Sequence, residues 1–120
     1  MTLLNLTTEV KKHFEGADIS DVRRLAGELE MKLCNEIFSP HGIECPGNLS
    51  KRDVNEPLLL DDCHISLYLD YIFAVLSREE ADIEAANAFS TLFNQRLSEL
   101  AVYMRRNNLP VKNTPLKGGI

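Results

Sequence analysis

The chain has no tryptophan, only three cysteines in 120 residues, and no acidic residue after Glu99. Each shortage excludes something. An odd cysteine count fits a reducing compartment better than a disulfide framework. No apolar run approaches the roughly 18 residues that a membrane-spanning helix needs, so no membrane partner is expected. Met1-Thr2-Leu3-Leu4-Asn5-Leu6 lacks the basic stretch and long apolar run of a secretory leader. Phosphate loops, G-x-G-x-x-G fingerprints and H-E-x-x-H zinc motifs are missing. A net charge of −5 argues against specific nucleic-acid recognition, since phosphate affinity comes from clustered Lys and Arg. No cofactor and no enzymatic activity are expected.

What is present is an ordinary globular composition, 44% hydrophobic and 26% charged. Its length suits one domain with a modest core. The charge is unevenly spread. Residues 1–99 hold nine Lys and Arg against all 18 Asp and Glu, a balance of −9. The end holds Arg105, Arg106, Lys112 and Lys117 and no acid. Pro110, Pro115, Gly118 and Gly119 exclude a regular helix there. We therefore expect a helical domain over 1–108 and an extended arm over 109–120. That arm would meet an acidic surface on another copy or a partner. The residues expected to bind are Arg105, Arg106, Leu109, Pro110, Val111, Lys112, Pro115, Leu116, Lys117 and Ile120.

The hydrophobic spacing is helical throughout. Thr7 or Thr8 can cap a short first helix that stops at Gly16. Asp18 or Ser20 can cap a second, whose face is Val22, Leu25, Ala26, Leu29, Leu33 and Ile37, with Gly27 inside it. Residues 39–60 read as a long connection punctuated by proline and glycine, with Leu58-Leu59-Leu60 pinning it back to the core. A third helix starts at Asp61 or Asp62, with Ile65, Tyr68, Leu69, Ile72 and Leu76 on one face. Ser77-Arg78-Glu79-Glu80 reads as a capping box opening a long helix over 78–107. In that helix Phe89, Phe93, Leu97 and Leu100 are expected to pack on Ile65, Leu69, Ile72 and Leu76 of the third helix as an antiparallel hairpin, because the connection is short. The expected fold is all-α: a small helical bundle around a central hairpin, a long mid-chain loop and an extended C-terminal tail.

The chemistry-bearing residues are few. His41, Cys45, Cys63 and His64 could supply four zinc ligands, but their spacing departs from the tight knuckles of structural zinc sites, so no metal is expected. Cys34 falls on an apolar helix face and reads as core. Asp70 stands alone in an apolar helix, either on a solvent stripe or against a basic group of another chain. Tyr71 and Tyr103 are candidate interface anchors, with core packing the default.

One stretch has a family likeness. It runs Asp61-Asp62-Cys63-His64-Ile65-Ser66-Leu67-Tyr68-Leu69-Asp70-Tyr71-Ile72-Phe73-Ala74-Val75-Leu76, then Ser77-Arg78-Glu79-Glu80-Ala81-Asp82, Ala85-Ala86-Asn87-Ala88-Phe89 and Leu92-Phe93-Asn94-Gln95-Arg96-Leu97. Its apolar tyrosine-bearing helix, acidic turn and alanine-rich F-x-x-x-L helix resemble the hairpin of bacteriophage head-to-tail adaptor (connector) proteins. The likeness covers residues 61–107. It implies a non-enzymatic virion protein, assembled in the host cytoplasm into an oligomeric ring at the virion neck. Such a ring lies between portal and tail proteins, passes DNA through a passive channel, and uses a C-terminal extension to grip the portal. An acidic body suits such a channel. The alternative of a different class is a small regulatory or inhibitory protein of the bacterial cytoplasm that binds a single protein partner.

Overall fold

Leu3, Leu6 and Val10 are fully buried, and their spacing of three and four builds the first helix, α1 (Leu3–Lys11). This is a correction, since the helix starts before Thr7. Thr2 caps it: the Asn5 amide donates to Thr2 Oγ1 at 3.3 Å, and the Thr2 amide donates to Asn5 Oδ1 at 3.1 Å. The Thr7 and Thr8 hydroxyls instead donate back to the Leu3 and Leu4 carbonyls. Starting at Thr7 would have left the Leu3 and Leu6 face without a helix to present it. The structure, a computed structural model, describes residues 1–43, 45 and 53–107.

Helix α2 (Ile19–Leu33) is capped by Asp18, whose Oδ1 accepts from the Asp21 amide at 2.9 Å. Its expected face, Val22, Leu25, Ala26, Leu29 and Leu33, is buried throughout. The chain then loosens into a π-helical turn over Cys34–Phe38 and a 3₁₀ turn over Ser39–His41. Gly42 stops it at φ 76°, a left-handed conformation that favours glycine. This reversal returns Cys45 to Cys34, and the two form a disulfide with Cα atoms 6.1 Å apart. Cys34 is core, as expected, but the bond corrects the expectation of no disulfide from the odd cysteine count: the reversal at Gly42 pairs two of the three cysteines and leaves Cys63 as the thiol.

Leu58 and Leu60 are buried, and the Leu58 amide donates to the Met1 carbonyl at 2.9 Å. The triple-leucine segment thus ties the connection to the body. A 3₁₀ turn over Asp62–His64 leads into α3 (Ile65–Glu79), and α4 (Ile83–Asn107) returns antiparallel along it. The hairpin turn is a second correction. Ser77 is 2% exposed inside α3 and caps nothing. The Asp82 amide donates to the Ser77 carbonyl and the Ala81 amide to the Arg78 carbonyl, closing α3 as a Schellman motif with Ala81 left-handed at φ 62°. Asp82 then caps α4 by accepting from the Ala85 amide at 3.1 Å. Starting a helix at Ser77 would have cut α3 one turn short and uncovered its buried end.

The fold is all-α, and no strand occurs among the described residues. Helix α3 lies centrally, touching α1, α2 and α4. Its ring and ion contacts to α4 come from Tyr71, Phe73 and Asp70, while Tyr68 turns toward α2.

Candidate functional site

Helix α4 packs chiefly on α3 and leaves most of its circumference to solvent. Ala86, Phe93, Leu100 and Met104 are buried against the body. Phe93 sets its ring 5.4 Å from Tyr71, and Phe89 sets its ring edge-on to Phe73 at 5.2 Å. The outward face is unusual in composition. From Ala85 to Gln95 there is no charged residue. Asn87, Ala88, Thr91, Leu92, Asn94 and Gln95 are all exposed along that stretch, Leu92 by 40%. Glu84 and Arg96 bracket it. Charge depletion of this kind marks the centre of protein–protein contacts, whereas a solvated helix face normally carries Lys and Glu.

Arg96 is anchored within the chain. Its Nε donates to Asp70 Oδ2 at 2.6 Å, and Asp70 is buried. Asp70 is therefore neither a solvent stripe nor a contact to another chain, because α4 crosses α3 with Arg96 directly over it. Burial holds the Asp70 carboxyl above its ordinary range, and Arg96 opposes that shift. Tyr71 is likewise engaged inside the chain: its hydroxyl donates to Glu28 Oε1 at 3.2 Å. Burial first, and the Glu28 carboxylate second, raise its pKa. Tyr103 remains 53% exposed, edge-on to His64 at 6.4 Å, and stays a candidate anchor near the C-terminal end of α4.

Arg105 and Arg106 are exposed in the last turn of α4, where the helix dipole favours cations. The other expected binding residues, Leu109, Pro110, Val111, Lys112, Pro115, Leu116, Lys117 and Ile120, lie outside the described residues. The zinc-type set does not converge. Cys45 is bonded to Cys34, His41 is buried in the Ser39–His41 turn, and Cys63 is an exposed thiol. A hollow of about 250 Å³ does gather Cys63, His64, Arg96, Glu99 and Tyr103, but Arg96 there is already held by Asp70.

One polar centre escaped the sequence reading. Glu30 is fully buried on α2. Its Oε2 accepts from the Tyr68 hydroxyl at 2.6 Å and from the Leu59 amide at 2.7 Å. The Tyr68 oxygen in turn accepts from the Leu60 amide at 3.1 Å. This clamp holds the leucine segment across two helices. The signal was available, because Glu30 follows Ala26 by four and precedes Leu33 by three, squarely on the apolar face.

Comparison of the chain with protein-family models, with curated proteins and with solved structures finds no match.

Proposed function

We propose that this chain is a non-enzymatic structural protein that assembles with its own copies, as a head-to-tail adaptor of the phage connector type. The observation that carries the reading is the exposed, uncharged face of α4 between Glu84 and Arg96. A helix held on one side, with Leu92 and small polar groups on the other, is suited to lateral contact with a neighbour. The rigid hairpin beneath it supports the reading. Asp70–Arg96 and the ring pairs Tyr71–Phe93 and Phe73–Phe89 fix α4 in orientation, so its outer face is presented preformed. The likeness of residues 61–107 to connector hairpins supplies the ring between portal and tail, and the basic end at Arg105 and Arg106 supplies a grip on the portal. A disulfide suits a protein exposed on a particle outside the cell.

The test is the composition of native particles. Label-free quantitative mass spectrometry of gradient-purified virions should find the chain in several copies per particle. Cross-linking should join α4 of one copy to another copy and the C-terminal residues to the portal. Recovery of the chain only in the soluble fraction, in equal amount with one cellular protein, would replace this reading with the regulatory one.

A further inference from the structure

The end of the molecule opposite Arg105 and Arg106 carries a groove of about 560 Å³ between the α1–α2 loop and the end of α3. Its apolar lining comes from Phe14, Ala17 and Leu76. Its rim comes from Glu15, Glu79 and Glu80, all exposed, with Asp21 beside them. Lys12 and His13 also line it, but the Lys12 ammonium is bound to Glu9 at 2.8 Å and the His13 ring lies on Phe73 at 4.9 Å. Arg24 reaches Glu79 only at 3.8 Å, from the α2 side. A Cβ placed on Gly16, at the groove's edge, would meet no atom within 4 Å, so the approach is open.

We propose that this groove receives the C-terminal arm of a second copy of the chain. Leu109-Pro110-Val111-Lys112, following Arg105 and Arg106, combines apolar bulk with positive charge. That is the complement of an apolar trough rimmed by carboxylates. A proline fixes its own backbone φ, so a segment carrying Pro110 has less conformational entropy to lose on docking. The chain's own Leu109–Lys112 segment cannot fill the site. The groove lies at the start of α4, and the arm leaves from its end. Helix α4 has 25 residues and so spans about 37 Å at 1.5 Å per residue. The five residues from Asn108 to Lys112 reach at most about 18 Å. Donor and acceptor thus sit at opposite ends of one molecule, and docking is heterologous, arm into groove, copy after copy. A contact of that type closes into a ring or runs on as a filament. Taking a second copy as the occupant rests on the self-assembly proposed above, and it gives the arm to the neighbouring copy in place of the portal grip that the likeness implies.

The test uses the full chain in sedimentation velocity over a concentration series at low and high salt. The unaltered chain should self-associate, more weakly in high salt. Glu79→Lys with Glu80→Lys should weaken association at least about tenfold. So should Gly16→Arg, which blocks the groove without touching α3, and so should Arg105→Glu, Arg106→Glu, Lys112→Glu and Lys117→Glu combined. The helical circular dichroism of each should match the parent. Mixing a groove variant with the arm variant should give a 1:1 dimer and nothing larger, because one arm and one groove remain. Unaltered association by the groove variants, a mixture that stays monomeric, or a parent chain that stays monomeric throughout would each overturn the proposal. Dimers in the mixture with no chain in virions would leave the docking standing and remove the adaptor reading. Chain in virions with unaltered association by the groove variants would do the reverse.

Discussion

Replacing Glu30 by alanine is the sharpest test of how the body is held together. Glu30 Oε2 is the acceptor for a buried donor, the Tyr68 hydroxyl, and a partly buried one, the Leu59 amide. Leaving a buried donor without its acceptor costs roughly 1–3 kcal/mol, so two such losses sum to about 2–6 kcal/mol. Removing a buried carboxylate returns part of its desolvation cost, which pulls the net toward the lower half of that range. Even the lower half is a large share of the roughly 5–15 kcal/mol that holds a domain together. Glu30→Gln keeps the volume and one acceptor oxygen and should cost less, about 1–2 kcal/mol. Tyr68→Phe removes the hydroxyl that links Glu30 to the Leu60 amide at 3.1 Å. The double variant should therefore cost less than the two single variants added, with a coupling of about 1–3 kcal/mol. Urea unfolding followed by circular dichroism measures all three. Hydrogen exchange adds a local readout: the Leu59 and Leu60 amides should lose protection in Glu30→Ala before the helices do. A cost below about 0.5 kcal/mol, additive single variants, or unchanged protection at Leu59 and Leu60 would refute the clamp.

Ala81→Gly should raise stability by about 0.5–1 kcal/mol in urea, because a left-handed alanine costs about 1–2 kcal/mol while the added glycine entropy removes only part of the gain. Arg96→Ala should lower stability by about 1–3 kcal/mol by stranding the buried Asp70 carboxylate. Burial raises the Asp70 pKa above its ordinary 3.8, so Asp70 binds its proton more tightly folded than unfolded. Its contribution to stability therefore rises as pH falls through the folded pKa and levels off below 3.8, and without Arg96 that rise should begin at higher pH in urea titrations. Leu92→Arg should leave the melting temperature within about 2 °C of the parent, since Leu92 is 40% exposed, yet reduce cross-links from α4 to the neighbouring copy in assembled particles.

The helices were legible because their signals were redundant. On α2, Asp18 and the three-and-four spacing of Val22, Leu25, Leu29 and Leu33 agree, although the helix loosens into a π turn after Leu33, before the stop at Gly42. Where two signals competed, the buried surface decided. Ser77-x-x-Glu80 is a fair capping box, but α3 still had Ser77 to bury against the body, so Asp82 caps instead. Thr7 and Thr8 are good capping residues, but Leu3 and Leu6 required an earlier start at Thr2. Pairings distant in sequence were not legible. Cys34 with Cys45 needed the reversal at Gly42, and Asp70 with Arg96 needed the register of α4 on α3. No period in the sequence fixes that register to one residue. Glu30 was on the page as a charge on an apolar face, but its partners Tyr68 and Leu59 lie 38 and 29 residues away.

The two proposed contact surfaces constrain each other. The uncharged face of α4 runs along the long side of the hairpin, while the groove and the basic end occupy its two ends. If α4 met the same face of a neighbour about a two-fold axis, the pair would be isologous and closed at two copies. Arm-into-groove docking is heterologous and sets a constant rotation from each copy to the next. Both can operate in one closed ring only if α4 meets a different surface of its neighbour. The acidic balance of residues 1–99 then has a physical role beyond solubility. It repels bodies that approach in any orientation except the one that brings a basic end to an acidic rim. In the proposed ring, charge would select the register, and the apolar lining of Phe14, Ala17 and Leu76 would supply the buried area that holds it.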